Sequence, residues 1–307
     1  MTSPLTSIII VNWNSCDLLE NCLDSIRQTN PNGNYEIIVV DNASTDDSLR
    51  MIKNDFPEVV LIENKENLGF AKGCNIGIKA SKGKIILFLN SDAEVRELNT
   101  LVRVENFFDD HEDVGILGLR LVFPDGGPQA SGGEFISVKK LMKHQILFGD
   151  SPIFHKLRGK FNGGENTTFY DIDFVSGACF FIRKKLFDEI GIFDESFFMY
   201  GEDMDYCFRA KKKGWRIIIL PSIKVIHLKS QSTRKNLESA LYHGIKNNCF
   251  LVYKFYGKNK ALIAHSIYSV GLILRFLLAF VRKQEKPMSY LKLFSENIKM
   301  QFKLLTS

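Results

Sequence analysis

The run Ser7-Ile8-Ile9-Ile10-Val11, followed at once by Asn12-Trp13-Asn14-Ser15, carries the first indication of the fold. A short, largely β-branched run without polar alternation predicts a strand that is buried on both faces. The polar residues end that strand, and apolar residues then recur at helical spacing from Leu18 to Ile26. A buried strand followed by a helix is the first half of a strand–helix–strand unit, which builds a parallel sheet.

The same alternation continues along the first third of the chain. Further strands are predicted at Glu36–Val40, Val59–Ile62 and Lys84–Leu89, and helices around Leu49–Ile52 and over Ala71–Ala80. We therefore predict an α/β fold with a Rossmann-like, mostly parallel central sheet that is flanked by helices.

Polar clusters follow three of these strands, namely Asn12–Ser15, Asp41–Asp46 and Asn90–Asp92. Sheets of this kind bind their ligands at the carboxyl ends of the strands. Polar loops also follow strands for purely structural reasons. Three such clusters at one edge of the sheet nevertheless favour a binding site there.

The composition indicates an ordinary globular protein. The chain has 307 residues, of which 45% are hydrophobic and 24% are charged, and this excludes collagen-like, low-complexity and wholly disordered classes.

Its six cysteines are scattered without a CxxC pair, which argues against a zinc site or a disulfide framework and favours a reducing compartment. Residues Met1–Ser7 lack the basic segment of a signal peptide, so we expect a cytoplasmic protein.

The positive charge is concentrated at the C-terminus. The whole chain carries +5, but Lys254–Ser307 has ten Lys and Arg against two Glu, which leaves the rest of the chain at −3. The apolar stretch Ala261–Val281 is long enough to cross a bilayer, although a central arginine such as Arg275 costs about 3 kcal/mol there. Two interpretations stay open: contact with an anionic membrane surface, or helices that pack on the catalytic domain or on a second subunit.

The predicted domain organisation has two parts. A catalytic domain spans 1–235, with a nucleotide-binding half at about 1–125 and an acceptor half at about 126–235, and a basic, apolar helical extension spans 236–307. The stretch Gly126–Thr168 has weak periodicity and is interpreted as a long excursion. The elements predicted after it are a strand at Phe174–Ile182, a helix at Lys184–Ile190, an acidic helix start at Gly201–Asp205, and strands at Trp215–Leu220 and Lys224–His227.

Several residues in these positions have types that can support catalysis. Asn90 and Asp92 present oxygens at alternate positions, which suits a hard cation, but Asp92 also fits the cap of a following helix. His227 is a possible nitrogen ligand or simply a packed strand-end residue. Glu202 and Asp203 suit a general base, or a negatively charged first helical turn.

The motifs, taken in order, resemble those of one family. They are Val11–Asn14, Asp41–Asp46, Glu66–Asn75, Leu89–Asp92, Gly177-Ala178, Gly191–Phe198 and Gly201–Asp205. The set is similar to the inverting, GT-A-fold glycosyltransferases of family 2, in particular the rhamnosyltransferase-like branch that builds bacterial surface polysaccharides. The resemblance covers about Thr6–Ser230, and glycines near Lys72 lack the spacing of a dinucleotide or P-loop fingerprint.

The resemblance implies roles for individual residues on the donor side. Asp41 would accept a hydrogen bond from the N3–H of uracil or thymine, and Val11 and Trp13 would line the base pocket. The other implied contacts to the nucleotide are Asn42, Lys72, Asn90 and Ser91, with Asn90-Ser91-Asp92 resembling a DXD-type motif whose first aspartate is replaced.

For the metal, the resemblance implies that Asp92 and His227 bind Mn²⁺ or Mg²⁺. It also implies that Asp203 is the general base and that Gly177 and Glu202 lie at the acceptor. The QxxRW motif of processive relatives is missing from the sequence, so we expect transfer of one or a few sugars. The donor would be a UDP- or dTDP-sugar, and the acceptor would be a lipid-linked glycan at the cytoplasmic face of the membrane.

Two other functions fit parts of the pattern. A catalytically silent nucleotide-sugar-binding protein could share the fold, but it would need no base at Asp203. A sugar nucleotidyltransferase shares the nucleotide-binding half but would need a basic loop after the first strand, and Asn12–Asp17 contains no Lys or Arg. The sequence leaves the oligomeric state open, with a homo-oligomer as one option.

Overall fold

The computed structural model describes residues 5–146, 168–228, 237–281 and 288–306, and the chain divides into two compact units. The catalytic unit comprises Met1–Glu134 and Phe161–Lys229, and the helical unit comprises Phe135–Lys160 and Ser230–Ser307. Part of the excursion that the sequence assigned to the acceptor half thus belongs to the helical unit.

The catalytic unit alternates strands and helices as predicted. Its strands are β1 (Thr6–Asn12), β2 (Tyr35–Asp41), β3 (Val60–Glu63), β4 (Ile85–Leu89), β5 (Ala93–Val95), β6 (Val114–Val122), β7 (Gly132–Gly133), β8 (Tyr170–Asp171), β9 (Phe174–Val175), β10 (Cys179–Arg183) and β11 (Arg216–His227). Its helices are α1 (Cys16–Thr29), α2 (Ser48–Asp55), α3 (Phe70–Ala80), α4 (Thr100–Asp110), α6 (Lys185–Ile190) and α7 (Glu202–Lys212). The helical unit contains α5 (Val138–Gln145), α8 (Leu237–Tyr256), α9 (Lys258–Val281) and α10 (Met288–Thr306).

The central sheet has the order β3-β2-β1-β4-β10-β6-β11-β5, with β8 beside β11. Strands β3, β2, β1 and β4 pair in parallel, as do β6 and β11, whereas β10 runs antiparallel to both of its neighbours. The prediction of a mostly parallel sheet flanked by helices is therefore confirmed. In the register of β1 on β2, Asn12 lies opposite Asp41, so two of the polar clusters meet at the sheet edge.

Helices cover both faces of the sheet, as the unbroken apolar strands predicted. Ile8 and Ile10 of β1 pack in one cluster with Leu19 and Leu23 of α1. Ile9 points to the opposite face, where α3 lies so close that a Cβ on Gly77 would overlap the Ile9 side chain. Full burial of such side chains stabilises the fold by about 1.5–3 kcal/mol each.

Three details of the sheet after β5 differ from the prediction. The strand expected at 174–182 is divided into β9 and β10, because Ser176–Ala178 form a turn. The two strands expected at 215–220 and 224–227 form a single strand, β11, which pairs with β6 and has an irregular register around Pro221. Strand β6 itself was not predicted, since glycines and Arg120 interrupt its apolar run.

In the helical unit, α9 packs against α5, α8 and α10. The side chain of Asn297 donates to the carbonyl oxygen of His265 (2.8 Å) and to Oγ of Ser269 (2.9 Å), and its Oδ1 accepts from Nδ1 of His265 (2.6 Å). Arg275 donates to Gln145 of α5 over 2.5 Å. Within the described residues one segment, Lys258–Ala279 of α9, has the length and hydropathy needed to cross a bilayer.

Candidate active site

Asp41 lies at the carboxyl end of β2, where its carboxylate is held by neighbouring loops. Asn12 donates to Oδ2 of Asp41 over 2.9 Å, and the backbone N–H of Ser44 donates to Oδ1 over 2.8 Å. Each carboxylate oxygen has a second lone pair that can still accept a hydrogen bond. The structure thus orients Asp41 and leaves acceptor capacity for the N–H of a base.

Val11 and Trp13 lie at the carboxyl end of β1, the strand next to β2. The indole of Trp13 is 51% exposed and Val11 is half-buried. Asn14 adopts a left-handed backbone (φ 51°), and its side-chain oxygen accepts the N–H of Thr45 over 2.7 Å. This contact joins the loop after β1, which contains the exposed Trp13, to the loop that follows Asp41. An exposed aromatic side chain in such a loop suits the binding of a planar base.

Asn42 forms hydrogen bonds inside the protein, and its contact with the nucleotide stays a prediction. Its side chain is 2% exposed, donates to the carbonyl of Gly69 (3.1 Å) and accepts from Asn64 (2.9 Å). These two bonds link the ends of β2 and β3 to the start of α3. The arrangement therefore gives Asn42 a structural role.

Lys72 is exposed in the first turn of α3, and it has no hydrogen bond or ion pair within the described residues. The helix can begin here because Gly69 adopts a left-handed backbone (φ 81°) beneath the Phe198 carbonyl, a position where a side chain would clash. The N-terminal end of a helix carries partial positive charge. A lysine ammonium at this end is placed to meet an anion such as a diphosphate.

Asn90, Asp92 and His227 converge although they are far apart in the sequence. The antiparallel pairing of β11 with β5 sets His227 opposite Ala93. Nε2 of His227 lies 3.2 Å from Oδ1 of Asp92 and 3.3 Å from Nδ2 of Asn90. The structure thus brings together the two residues predicted to bind a metal.

Ser91 connects the cluster of Asn90, Asp92 and His227 to the loop after β1. Its hydroxyl lies 3.0 Å from the hydroxyl of Ser15, which in turn donates to Oδ1 of Asn12 over 2.6 Å. Since Asn12 also holds Asp41, one chain of hydrogen bonds runs between the loops after β1, β2 and β4. The three polar clusters identified in the sequence therefore form one site.

The donor set at Asp92 and His227 fits a divalent cation of borderline hardness. One carboxylate and one imidazole are ligands that Mn²⁺ accepts, and diphosphate oxygens commonly complete such a coordination shell. No cluster of three or more His, Cys, Asp or Glu residues able to hold a metal occurs among the residues that the structure describes. The remaining ligands would therefore come from amide oxygens, water or the substrate.

Asp203 lies in the first turn of α7, and its carboxylate accepts two backbone hydrogen bonds. The N–H of Gly177 donates to Oδ2 over 2.9 Å, and the N–H of Met204 donates to Oδ1 over 2.7 Å. Burial raises the pKa of Asp203, and these bonds partly oppose that shift. A carboxylate with a raised pKa and a fixed orientation can take up a proton from a hydroxyl group.

Gly177 also connects Asp203 to the metal-binding candidates. The residue after it, Ala178, accepts the backbone N–H of Asn90 over 2.9 Å. The turn before β10 therefore touches both Asp203 and the Asn90–Asp92 segment. Gly177 was predicted to bind the acceptor, but its N–H holds the carboxylate of Asp203 in this structure.

Glu202 differs from the prediction that it contacts the acceptor. Its side chain is 4% exposed, and Oε2 has no hydrogen-bond partner among the described residues. Burial and the neighbouring charge of Asp203 raise the pKa of Glu202 to about 8, so this carboxyl is mostly neutral at pH 7. The third acidic residue of the cluster, Asp205, forms an ion pair with Arg209 over 2.9 Å.

Two buried polar side chains with several hydrogen bonds were not among the predicted site residues. Asn75, fully buried in α3, donates to the carbonyl of Phe193 and accepts the N–H of the same residue, each over 3.0 Å. An asparagine inside a helix is unfavourable unless it has such partners. The position of Asn75 within the predicted helix 71–80 was therefore the sequence feature that could have indicated its role. Gln129 contacts His227 from the Gly126–Thr168 stretch, where no pattern singled it out.

Similar proteins act in glycan synthesis. The hexosyltransferase Agl10 of low-salt glycan biosynthesis from Haloferax volcanii is 26% identical over 274 residues, which is 86% of this chain and 80% of the relative. The N-acetylglucosaminyl-diphospho-decaprenol L-rhamnosyltransferase of Mycobacterium tuberculosis is 26% identical over 67% of this chain and 70% of the relative. The chain spans only 18% of another relative, the O-antigen biosynthesis protein RfbC of Myxococcus xanthus.

Solved structures share the fold at low sequence identity. The mannosyltransferase PcManGT of Pyrobaculum calidifontis, in complex with GDP-Man and Mn²⁺, matches with a TM-score of 0.56 and 16% identity over 99% of this chain and 88% of its own. GalNAc-T7, with UDP, GalNAc and Mn²⁺, matches with a TM-score of 0.57 and 19% identity over 78% of this chain and 47% of its own. These similarities show a GT-A fold.

Two sequence models of protein families match the chain and determine its family. The model of glycosyl transferase family 2 matches residues 7–191, and the model of glycosyl transferase family group 2 matches residues 163–284. The first of these matches contains Asp41, Lys72, Asp92 and Gly177, and it covers more than half of the chain. The chain therefore belongs to glycosyl transferase family 2 and is a glycosyltransferase.

Proposed function

We propose that this protein transfers one sugar at a time from a UDP- or dTDP-sugar to a glycan acceptor, with inversion of the anomeric carbon and with the help of a divalent metal. The observation that carries the proposal is the turn before β10. Gly177 in that turn holds the candidate base Asp203, and Ala178 next to it holds Asn90 beside the candidate metal ligands. Base and metal ligands therefore share one edge of the sheet.

The donor base would lie between Trp13 and Asp41. Uracil and thymine both offer an N3–H to a carboxylate, and Asp41 keeps lone pairs for such a bond. The exposed indole of Trp13 would cover one face of the ring. Lys72, at the start of α3, would offset the negative charge that develops on the departing diphosphate.

Asp92 and His227 are the residues proposed to hold Mn²⁺ or Mg²⁺. When bound, the cation supplies Lewis-acid stabilisation of a leaving diphosphate. The two similar structures with Mn²⁺ support the choice of metal, since they share the fold of this chain.

The bond changes follow from the position of Asp203. Its carboxylate takes the proton of an acceptor hydroxyl as the oxygen forms a bond to the anomeric carbon. The bond from that carbon to the diphosphate oxygen breaks on the opposite face, and the diphosphate leaves with the electron pair. One displacement inverts the carbon and needs one base without a covalent nucleophile.

We further propose that the helical unit brings the enzyme to the cytoplasmic face of an anionic membrane, where a lipid-linked acceptor would lie. Exposed apolar side chains recur along α9 and α10, namely Ile263, Val270, Leu277, Ile298, Phe302 and Leu305. Lys299 and Lys303 lie beside the last of these on α10. Apolar residues interleaved with lysines are typical of helices that bind anionic membrane surfaces. The M. tuberculosis relative is named for a decaprenol-linked acceptor, which is consistent with this location.

Product analysis with a panel of UDP- and dTDP-sugars, a lipid-linked glycan and Mn²⁺ tests the proposed reaction. We expect release of free UDP or dTDP that requires both donor and acceptor. Release of pyrophosphate from a nucleotide and a sugar phosphate would instead indicate a nucleotidyltransferase. Donor binding without turnover on any acceptor of the panel would favour the silent binding protein.

A further inference from the structure

Gln129 makes two hydrogen bonds to one residue, His227. Oε1 of Gln129 lies 2.5 Å from Nδ1 of His227, and Nε2 of Gln129 lies 3.1 Å from the backbone oxygen of His227. Both side chains are buried, with 4% of Gln129 and 8% of His227 exposed. Water therefore does not readily replace either bond.

We propose that Gln129 is a positioning residue, which holds the imidazole of His227 with Nε2 unprotonated and directed at Asp92, ready to bind the divalent cation. The inference rests on the proposed function for the identity of the ligand. The orientation and the proton position of His227 follow from contacts within this chain.

The two bonds determine which ring nitrogen carries the proton. A backbone carbonyl can only accept, so the amide nitrogen of Gln129 must face it. The amide oxygen then faces Nδ1, and it can only accept, so the proton lies on Nδ1. In a neutral imidazole Nε2 is then an acceptor. The reversed amide would set two oxygens against each other at the backbone of His227.

The amide of Asn90 supports a bare nitrogen at Nε2, whereas the carboxylate of Asp92 requires a cation, either a metal ion or a proton, between it and Nε2. Nδ2 of Asn90 can only donate, and it lies 3.3 Å from Nε2. Oδ1 of Asp92 lies 3.2 Å from the same atom. A carboxylate and an unprotonated imidazole nitrogen repel each other at this distance, and a shared cation relieves that repulsion. Residues that fix a histidine in this way commonly change metal affinity by 10–100-fold when removed.

Gln129 is itself held in place by the backbone. Its N–H donates to the carbonyl of Leu121 over 3.0 Å, and the hydroxyl of Ser131 accepts the N–H of Leu121 over 2.8 Å. The carbonyl of Ser131 accepts the N–H of Ser176 over 2.8 Å. This segment runs along the end of β6, which keeps the amide of Gln129 against His227.

The first test determines which ring nitrogen of His227 carries the proton in the absence of metal. Long-range ¹H–¹⁵N spectra of full-length protein labelled with ¹⁵N-histidine, recorded at pH 8 in chelator, distinguish protonated from bare ring nitrogens. The signal of His227 is assigned by its loss in His227→Gln. We expect Nδ1–H in the wild type and a shift towards Nε2–H in Gln129→Met. A wild-type signal with the proton on Nε2 would overturn the proposal.

The second test measures Mn²⁺ binding by electron paramagnetic resonance, with and without UDP. Gln129→Met should weaken binding by about 10–100-fold. Gln129→Glu should also weaken binding, because its second carboxylate oxygen would face the backbone oxygen of His227, where Gln129 donates a hydrogen bond. The matched control is Gln145→Met in the helical unit, which should leave Mn²⁺ affinity unchanged.

Thermal melts confirm that each variant is folded before its affinity is compared. A folded Gln129→Met with wild-type Mn²⁺ affinity would refute the role of Gln129. Failure of the proposed metal dependence looks different: the wild type would show Nδ1–H on His227 but bind no Mn²⁺. That outcome would remove the metal from the proposed function and leave the orientation of His227 by Gln129 established.

Discussion

The backbone N–H of Gly177 donates to Oδ2 of Asp203 over 2.9 Å, which joins the turn before β10 to the first turn of α7. Because β10 pairs with β4, the same turn reaches the Asn90–Asp92 segment at the end of that strand. A carboxylate that is anchored to the sheet in this way does not depend on a mobile loop for its orientation. Preorganised groups of this kind are what general-base catalysis requires.

Asp203→Asn should lower the rate of sugar transfer by about 10²–10⁴-fold, since the amide cannot accept the proton of the acceptor hydroxyl. Binding of the nucleotide sugar should change little, because Asp203 is not part of the Asp41 side of the site. Steady-state turnover and calorimetric donor binding measure the two effects. Asp55→Asn, at an exposed position of α2, serves as the control. Substantial residual turnover of Asp203→Asn would exclude Asp203 as the base.

Chelation should inactivate the enzyme, and Mn²⁺ or Mg²⁺ should restore it, because Asp92 and His227 are placed to share a cation. Asp92→Asn should raise the Mn²⁺ concentration needed for half-maximal activity, since a neutral oxygen replaces a charged ligand. Activity titrations with EDTA and added metal measure both effects. Full activity in the presence of chelator would remove Asp92 and His227 from a metal-binding role.

Glu202→Gln should change how stability depends on pH. The pKa of Glu202 is raised from 4.5 to about 8 in the folded protein, so the folded state binds more protons than the unfolded state between these values. The contribution of this carboxyl to the free energy of unfolding is therefore full below pH 4.5 and is lost as pH rises through 8. Relative to wild type, Glu202→Gln should thus be more stable at pH 9 than at pH 5.

Thermal melts of both proteins across that range measure this difference in melting temperature. Glu20→Gln, at an exposed position of α1, provides the matched control and should follow the wild-type curve. If the difference between Glu202→Gln and wild type does not vary with pH, Glu202 is not a buried neutral acid.

Gly77→Ala should destabilise the catalytic unit by about 1–3 kcal/mol, because the added methyl group overlaps Ile9 of the buried strand β1. Gly244→Ala in α8 is the matched control, since nothing lies within 4 Å of its new methyl group. That control should be stabilising by up to about 1 kcal/mol through helix propensity. Chemical denaturation measures both free energies of unfolding, and equal values would contradict the close packing of α3 on β1.

Charge reversal at Lys299 and Lys303 should weaken binding to anionic vesicles, at about 1 kcal/mol for each lysine removed near the surface. Co-sedimentation with vesicles that contain anionic lipid, compared with neutral vesicles, measures this loss. The control reverses two exposed lysines of the catalytic unit, Lys79 and Lys82. The proposed membrane contact is wrong if the wild type does not sediment, or if both double variants sediment as the wild type does.

The fold could be predicted largely from local patterns. Unbroken apolar runs such as Ser7–Val11 occur only where helices cover both faces of a sheet, and the structure confirms this for β1. The interrupted strand β6 escaped prediction, because its glycines serve close packing rather than periodicity: a Cβ on Gly118 would lie 2.7 Å from the Ile219 side chain of β11.

The sequence by itself determined the family motifs, the alternation of strands and helices from β1 to β4, and the residue types available for catalysis, because each of these depends on near neighbours in the chain. Only the tertiary structure decided how those residues are used. In the folded protein the side chains of Asn42 and Glu202 are buried, and Gln129 contacts His227. Such contacts join residues that are distant in sequence, and strand register and close packing, which no local pattern encodes, set their distances.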